Sequence, residues 1–260
     1  MADYILARKS RNIASNMVHV LLNILLGIGA VVVTVLSGSP VPGLLLVLIS
    51  KWRIFAVRLR YFAINLKANL VDLIVGCSVV LLTYTAGMEF AAIDFILMVF
   101  YCVWLLFIKP LSTERATLVQ SLIAVFLGIS ASAILTANLN AIVITLLAFL
   151  IGYASCRHVL VQENDKDFTF ATLVFGLIFA EIAWLCHSWA IIYTFGASGM
   201  RIPQSAMILT IFAFLYNYVR RAMLNYREDF KFGQIAVPLL FCGALIAIIV
   251  LWFSNPIFNI

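Results

Sequence analysis

Residues 168–195 read FTFATLVFGLIFAEIAWLCHSWAIIYTF, a run of twenty-eight in which Glu181 is the single formal charge. A helix on the surface of a soluble protein keeps one face polar, and this run has no such face. As one helix at 1.5 Å per residue it would measure about 42 Å, against a bilayer hydrocarbon core of roughly 30 Å. The run is therefore expected to cross a membrane and to tilt or protrude, with Trp189 and Tyr193 at the outer interface.

Comparable runs recur along all 260 residues, which are 65% hydrophobic and 11% charged. A soluble chain carries about 45–50% and 25%. Spans are expected at residues 14–36, 41–57, 68–86, 91–108, 116–136, 139–156, 168–195, 203–220 and 234–253. The expected fold is all-α, a polytopic transmembrane helical bundle of about nine spans. Residues 1–260 then form a single integral membrane domain with no soluble domain, internal repeat or strand.

The second span has a competing reading. Residues 41–57 reach only about 25 Å as a helix, and Lys51 and Arg53 in its last turns would have to snorkel. Alternatively, residues 43–50 form a short or re-entrant half-span, and residues 51–67 lie as a basic amphipathic segment at the cytoplasmic interface. Trp52, Phe55, Leu59, Phe62 and Leu66 then share one stripe.

With the N-terminus inside, sixteen of the seventeen Lys and Arg residues fall on the inner side, and only Arg201 is outside. Loops that retain basic residues are cytoplasmic, so the expected location is the plasma (inner) membrane with a cytoplasmic N-terminus. The net charge of +6 is thereby explained as topology, with no nucleic-acid partner implied. Cys77, Cys102, Cys156, Cys186 and Cys242 each stand alone in or at the end of an apolar run, as packing residues and not as disulfides or metal ligands.

Several chemistries lack their residues. No lysine lies in mid-span to form a retinal Schiff base, and Asp72 and Asp94, each near a span end, make no buried aspartyl pair. Neither GxxxxGK[ST] nor HExxH occurs. Asp165 and Asp167 make a D-x-D in a polar loop, which is read as a plain loop. Gly196, Ala197, Ser198 and Gly199 match the GxSG of rhomboid proteases, but no histidine follows Ser198 to act as its base. The balance is against an enzyme, and no metal or cofactor is expected.

The remaining polar residues form two sets. Glu181, midway along its run, shares a face with Trp184 and Ser188, and His187 lies six residues on. An ionisable group in hydrocarbon asks for a partner or a wet cavity. Glu181 with His187 is thus a candidate proton or cation relay, the alternative being a neutral carboxyl hydrogen-bonded to a neighbouring helix.

The second set lies near the cytoplasmic ends of three spans. It comprises Asn12, Asn16, His19 and Asn23; Asn65, Asn69 and Asp72; and Asn217, Arg220, Arg221 and Asn225, at spacings that keep each group on one helix face. These faces would converge as an inward-facing vestibule, with Asp72 paired to Arg220 or Arg221, or would simply join helices through asparagine amides. Small residues at Gly27, Gly29, Ala30 and 128–133 suit close helix packing.

Three functional classes follow: a small-solute or proton-coupled transporter whose route passes Glu181, a non-catalytic membrane subunit or scaffold, and, third, a lipid-headgroup-modifying enzyme. The expected partners are the lipid bilayer and either another membrane protein or further copies of the chain.

Overall fold

The structure, a computed structural model, describes residues 2–251 apart from Val57, residues 88–90, residues 163–167, Ala190, residues 196–199 and residues 226–232. The helices are α1 (Ala2–Ser37), α2 (Pro40–Ser50), α3 (Trp52–Phe55), α4 (Leu59–Ala86) and α5 (Ala92–Val103), then α6 (Glu114–Thr136), α7 (Ala141–Gln162), α8 (Phe168–His187), α9 (Gln204–Asn225) and α10 (Gly233–Leu251). Among the described residues, seven helices are long and apolar enough to cross a membrane, and α2 and Ala92–Ile108 are shorter apolar helices. The all-α class of the sequence is what the structure has. The loop with Asp165 and Asp167 and the turn with Ser198 lie outside the described residues.

Two expected spans are built differently. The seventh run does not stay helical over 28 residues: α8 stops at His187 after 20 residues. That is about 30 Å of helix, one hydrocarbon thickness. Ile192–Phe195 then pairs antiparallel with Met200–Pro203 as strands β1 and β2, with Tyr193 opposite Ile202 and Thr194 opposite Arg201. No strand is expected from the sequence, yet Ile192, Tyr193, Thr194 and Phe195 are β-branched or aromatic, and such residues favour extended pairing.

The second span is interrupted. Gly38 at φ 59° turns the chain out of α1, a conformation open to glycine. Ser39 caps α2 by accepting the Val41 N–H, and Pro40 opens the helix. After 11 residues α2 ends, with Lys51 in the break before the single turn of α3. The stretch 51–67 is accordingly divided, because α4 starts at Leu59 and runs unbroken to Ala86. Its residues do not make one separate surface helix.

Packing forms two adjoining cores. One, around Val31, Val47, Val75, Val79, Tyr101 and Trp104, joins α1, α2, α4 and α5. The other, around Val125, Ile129, Phe175, Phe179 and Leu209, joins α6, α7, α8 and α9. Ile74 of α4 and Phe126 of α6 touch both. Close approach depends on the small residues. A Cβ built on Gly43 of α2 would stand 2.9 Å from Val80 Cγ1 and 3.1 Å from the Ala30 carbonyl oxygen. One on Gly128 of α6 would meet Ile74 Cγ2 at 2.9 Å.

A Cβ at Gly43 would overlap Thr34 Oγ1 and Val80 Cγ1 and would also press on the Ala30 carbonyl, a backbone group with no rotamer to relieve it. Gly43→Val is expected to lower stability by about 1–3 kcal/mol through overpacking of α2 against α1 and α4. The thermal midpoint in mild detergent checks this, with Gly233→Val, where a Cβ meets nothing within 4 Å, as the control.

A buried ion cluster as the candidate functional site

Three charged side chains gather where α2 is interrupted. Asp72, in the middle of α4, is bonded through Oδ2 to the Nζ of Lys51, and Lys109 Nζ lies 2.7 Å from the same oxygen. Trp104 Nε1 donates to Asp72 Oδ1 at 3.1 Å. The Lys51 and Asp72 side chains are 7% and 9% exposed, whereas Lys109 is 39% exposed and opens the cluster at one end. Beside it the core is apolar, with Val71, Val75 and Tyr101 buried.

Each member is delivered by a local irregularity. Lys51 reaches Asp72 because α2 ends one residue before it. Trp104 and Lys109 reach it because α5 widens into a π-turn over Trp104–Ile108, in which the Lys109 N–H bonds to the Trp104 carbonyl at 2.8 Å. Residues five apart lie about 140° apart around a regular helix of 3.6 residues per turn. An i→i+5 turn brings them nearly into line.

Gln120 of α6 closes the same end. Its Nε2 donates to the carbonyls of Ile108 at 2.7 Å and Leu111 at 2.9 Å, satisfying acceptors that the helix end leaves open. Its Oε1 meets His158 Nε2 of α7 at 2.7 Å, and Ser121 meets Ser155 at 2.5 Å between the same two helices. The π-turn, α6 and α7 are thereby joined by one polar chain.

Two ammonium groups share one carboxylate, so with every group ionised the cluster carries a net positive charge. Burial draws the Lys109 ammonium towards its neutral form, but the adjacent Asp72 carboxylate outweighs it and holds its pKa above the ordinary lysine range. The arrangement is suited to holding a second anion beside Lys109.

The residues singled out from the sequence are distributed otherwise. Asp72 is at the centre of the cluster, but its partners are Lys51 and Lys109, which corrects the expected pairing with Arg220 or Arg221. Arg221 Nη2 instead donates to the Glu114 carbonyl of α6 at 3.1 Å. The reason is the order of packing, since α6 lies against both α4 and α9. Asn69 and buried Asn217 donate their amides to the carbonyls of Asn65 at 2.9 Å and Ala213 at 2.8 Å, one turn back in their own helices. His19 is exposed on α1, Asn23 is half-buried, Arg220 is half-buried on α9, and the side chain of Asn16 lies outside the described residues. Among the described residues, neither Asn69 nor Asn217 is bonded to Asp72.

Glu181 and His187 are also apart. The buried stripe of α8 is Thr172, Phe175, Gly176, Phe179, Ala180, Ala183 and Cys186. Glu181 points away from it, exposed beside Leu177 and Trp184, and lines neither described cavity. With α8 ending at His187 it is six residues from that end, about 9 Å of helix, and so is not midway. His187 turns towards α9, into a cavity of about 20 Å³ with Gln204 and Ser205, the size of one water.

Sequence reasoning missed Lys51, Trp104, Lys109, Gln120 and His158. The available signal was a charge within the second apolar run and a lysine five residues after a tryptophan. Compared with known proteins, the chain matches no family model, no curated protein and no solved structure.

Removing Asp72 leaves the buried Lys51 ammonium, and the more exposed Lys109 beside it, without their anion, whereas removing Lys51 leaves Asp72 with Lys109 and Trp104. Asp72→Ala is therefore expected to cost about 3–5 kcal/mol and Lys51→Met distinctly less. Lys109→Gln, at the open end, should cost about 1 kcal/mol or below. Denaturation of the three variants in mild detergent tests this order.

Proposed function

We propose that this chain is a multi-pass protein of the plasma (inner) membrane, with its N-terminus cytoplasmic, that carries a small solute or protons across the bilayer. The observation that carries the reading is the Lys51–Asp72 pair, buried where α2 breaks, with Lys109 at its open end. Ionisable groups at membrane depth are costly, and they commonly mark ion and solute pathways. Interrupted helices are tolerated there where they are enclosed by protein or line a cavity, and transporters bind substrate at such breaks. The π-turn that aims Trp104 and Lys109 is a further irregularity of the kind found at functional sites. The cluster's excess positive charge favours a small anion as the cargo.

Asp72 takes the role that the sequence suggested for Glu181. The cytoplasmic side is the end bearing Lys109, Arg115, Arg157 and Arg221, which the distribution of basic residues favours. The full-length protein reconstituted in vesicles with an internal pH dye, under an imposed pH gradient and in chloride, acetate or phosphate, tests the proposal. Wild type is expected to dissipate the gradient faster than protein-free vesicles in at least one of these salts. Asp72→Asn should slow this by about tenfold or more, as loss of a charge-assisted contact implies. Rates equal to protein-free vesicles in every salt would overturn transport of these ions.

A second reading, a non-catalytic subunit of a larger membrane complex, is favoured by Glu181. Its carboxyl faces outward between Leu177 and Trp184, and no hydrogen bond or ion pair joins it to another described residue. A carboxyl so placed in lipid is stabilised by a donor from a neighbouring membrane protein. In that case extraction from the native membrane in mild detergent should yield a stoichiometric partner, retained by Glu181→Gln and lost with Glu181→Leu. A chain recovered alone in both variants and in wild type would rule this reading out.

A further inference from the structure

At the end of the bundle opposite the ion cluster, a cavity of about 400 Å³ opens between α4, α5, α6 and the β1–β2 hairpin. Its wall is almost wholly apolar, with Leu82, Phe100, Ile123 and Phe126 prominent, and no member of the ion cluster lines it. Two polar features interrupt that wall. Ser130 of α6 is 3% exposed, and its Oγ has no hydrogen-bond partner. Arg201 of β2 stands at the margin, exposed, and no side-chain hydrogen bond or ion pair joins it to another described residue. The other hydroxyls of the wall are already engaged, Thr85 with the Leu82 carbonyl at 3.0 Å and Thr210 with that of Ala206 at 2.7 Å.

From this geometry we propose that the cavity is a binding site for a single-chain anionic lipid of the monoacyl phosphate class. The apolar wall takes the acyl chain. A guanidinium at the margin presents a planar fork of donors that matches phosphate, and Arg201 is the one basic residue of the chain assigned to the outer side. Ser130 lies six residues before the end of α6, about 9 Å below it, a depth suited to the ester or glycerol oxygen beneath a headgroup. A buried hydroxyl left unpaired is destabilising, so a ligand oxygen at that depth is favoured over a bare hydrocarbon chain. The volume lies near the lower end of the range for ligand cavities, about 300–1,000 Å³, which fits one chain better than two.

The test is native mass spectrometry of the full-length protein in neutral detergent, with lauroyl lysophosphatidate as the probe. One molecule per chain should be retained. Arg201→Gln, at an exposed position where folding is not at stake, should weaken retention by about tenfold or more, and Ser130→Ala by about threefold. Lauroyl lysophosphatidylcholine, which lacks the net negative charge, and two-chain dioleoyl phosphatidate should each compete at least about tenfold less well. Ile123→Trp should fill the cavity and abolish binding. Retention unchanged by Arg201→Gln, or equal competition by the two-chain lipid, would overturn the proposal and leave an ordinary lipid-filled crevice.

Discussion

A carboxylate in an apolar bundle has to be neutralised or solvated, and at Asp72 the fold does the first twice over. That requirement organises the half of the molecule built from α1 to α5. Lys51 can meet Asp72 because α2 stops short, and Lys109 can do so because α5 ends in a wider turn. Irregular backbone in a membrane bundle would ordinarily be a defect, since the freed amides and carbonyls have no water to bond. Here the charges make use of the irregularities, and Gln120 bonds the carbonyls that the end of the π-turn leaves open.

The second half, α6 to α9, is held by shape. Gly152 of α7 admits the Phe179 ring, with Cγ 2.6 Å from where a Cβ would stand, and Phe175 packs with Phe179, Phe212 and Tyr216. Lipid tails are as apolar as these side chains, so burial alone gives helices no reason to associate, and close packing with a few hydrogen bonds supplies it. The Ser121–Ser155 and Gln120–His158 contacts are the hydrogen bonds of that kind between α6 and α7. Both halves thus rest on close packing, to which the first adds the ion cluster, and α6 stands between them.

This division bears on function. In the transport reading proposed above, the groups to change charge or partner are those of the ion cluster, at the end where Lys109 is still partly exposed. The cavity at the other end is apolar and bordered by Arg201. Glu181 belongs to neither and lies on the outer surface of α8, where no hydrogen bond or ion pair joins its carboxyl to another described residue.

The sequence by itself determined the class of fold. Apolar runs near the thickness of a bilayer, separated by short polar segments, admit only helices, because every backbone group must be satisfied within its own segment. It also marked Asp72 as significant, since a lone aspartate in such a run is conspicuous in one dimension. It did not determine where α8 stops, because the residues of 188–195 are apolar whether helical or extended, and the pairing of β1 with β2 is a tertiary choice. Nor did it give the partners of Asp72. Lys51 is 21 residues away and Lys109 is 37 away, and helical periodicity places side chains on faces of their own helix without saying which faces meet. The π-turn that aligns Trp104 with Lys109 has no sequence signature in WLLFI. Only the packing of α2, α4 and α5 decided that these residues touch, and only the buried stripe of α8 decided that Glu181 faces away.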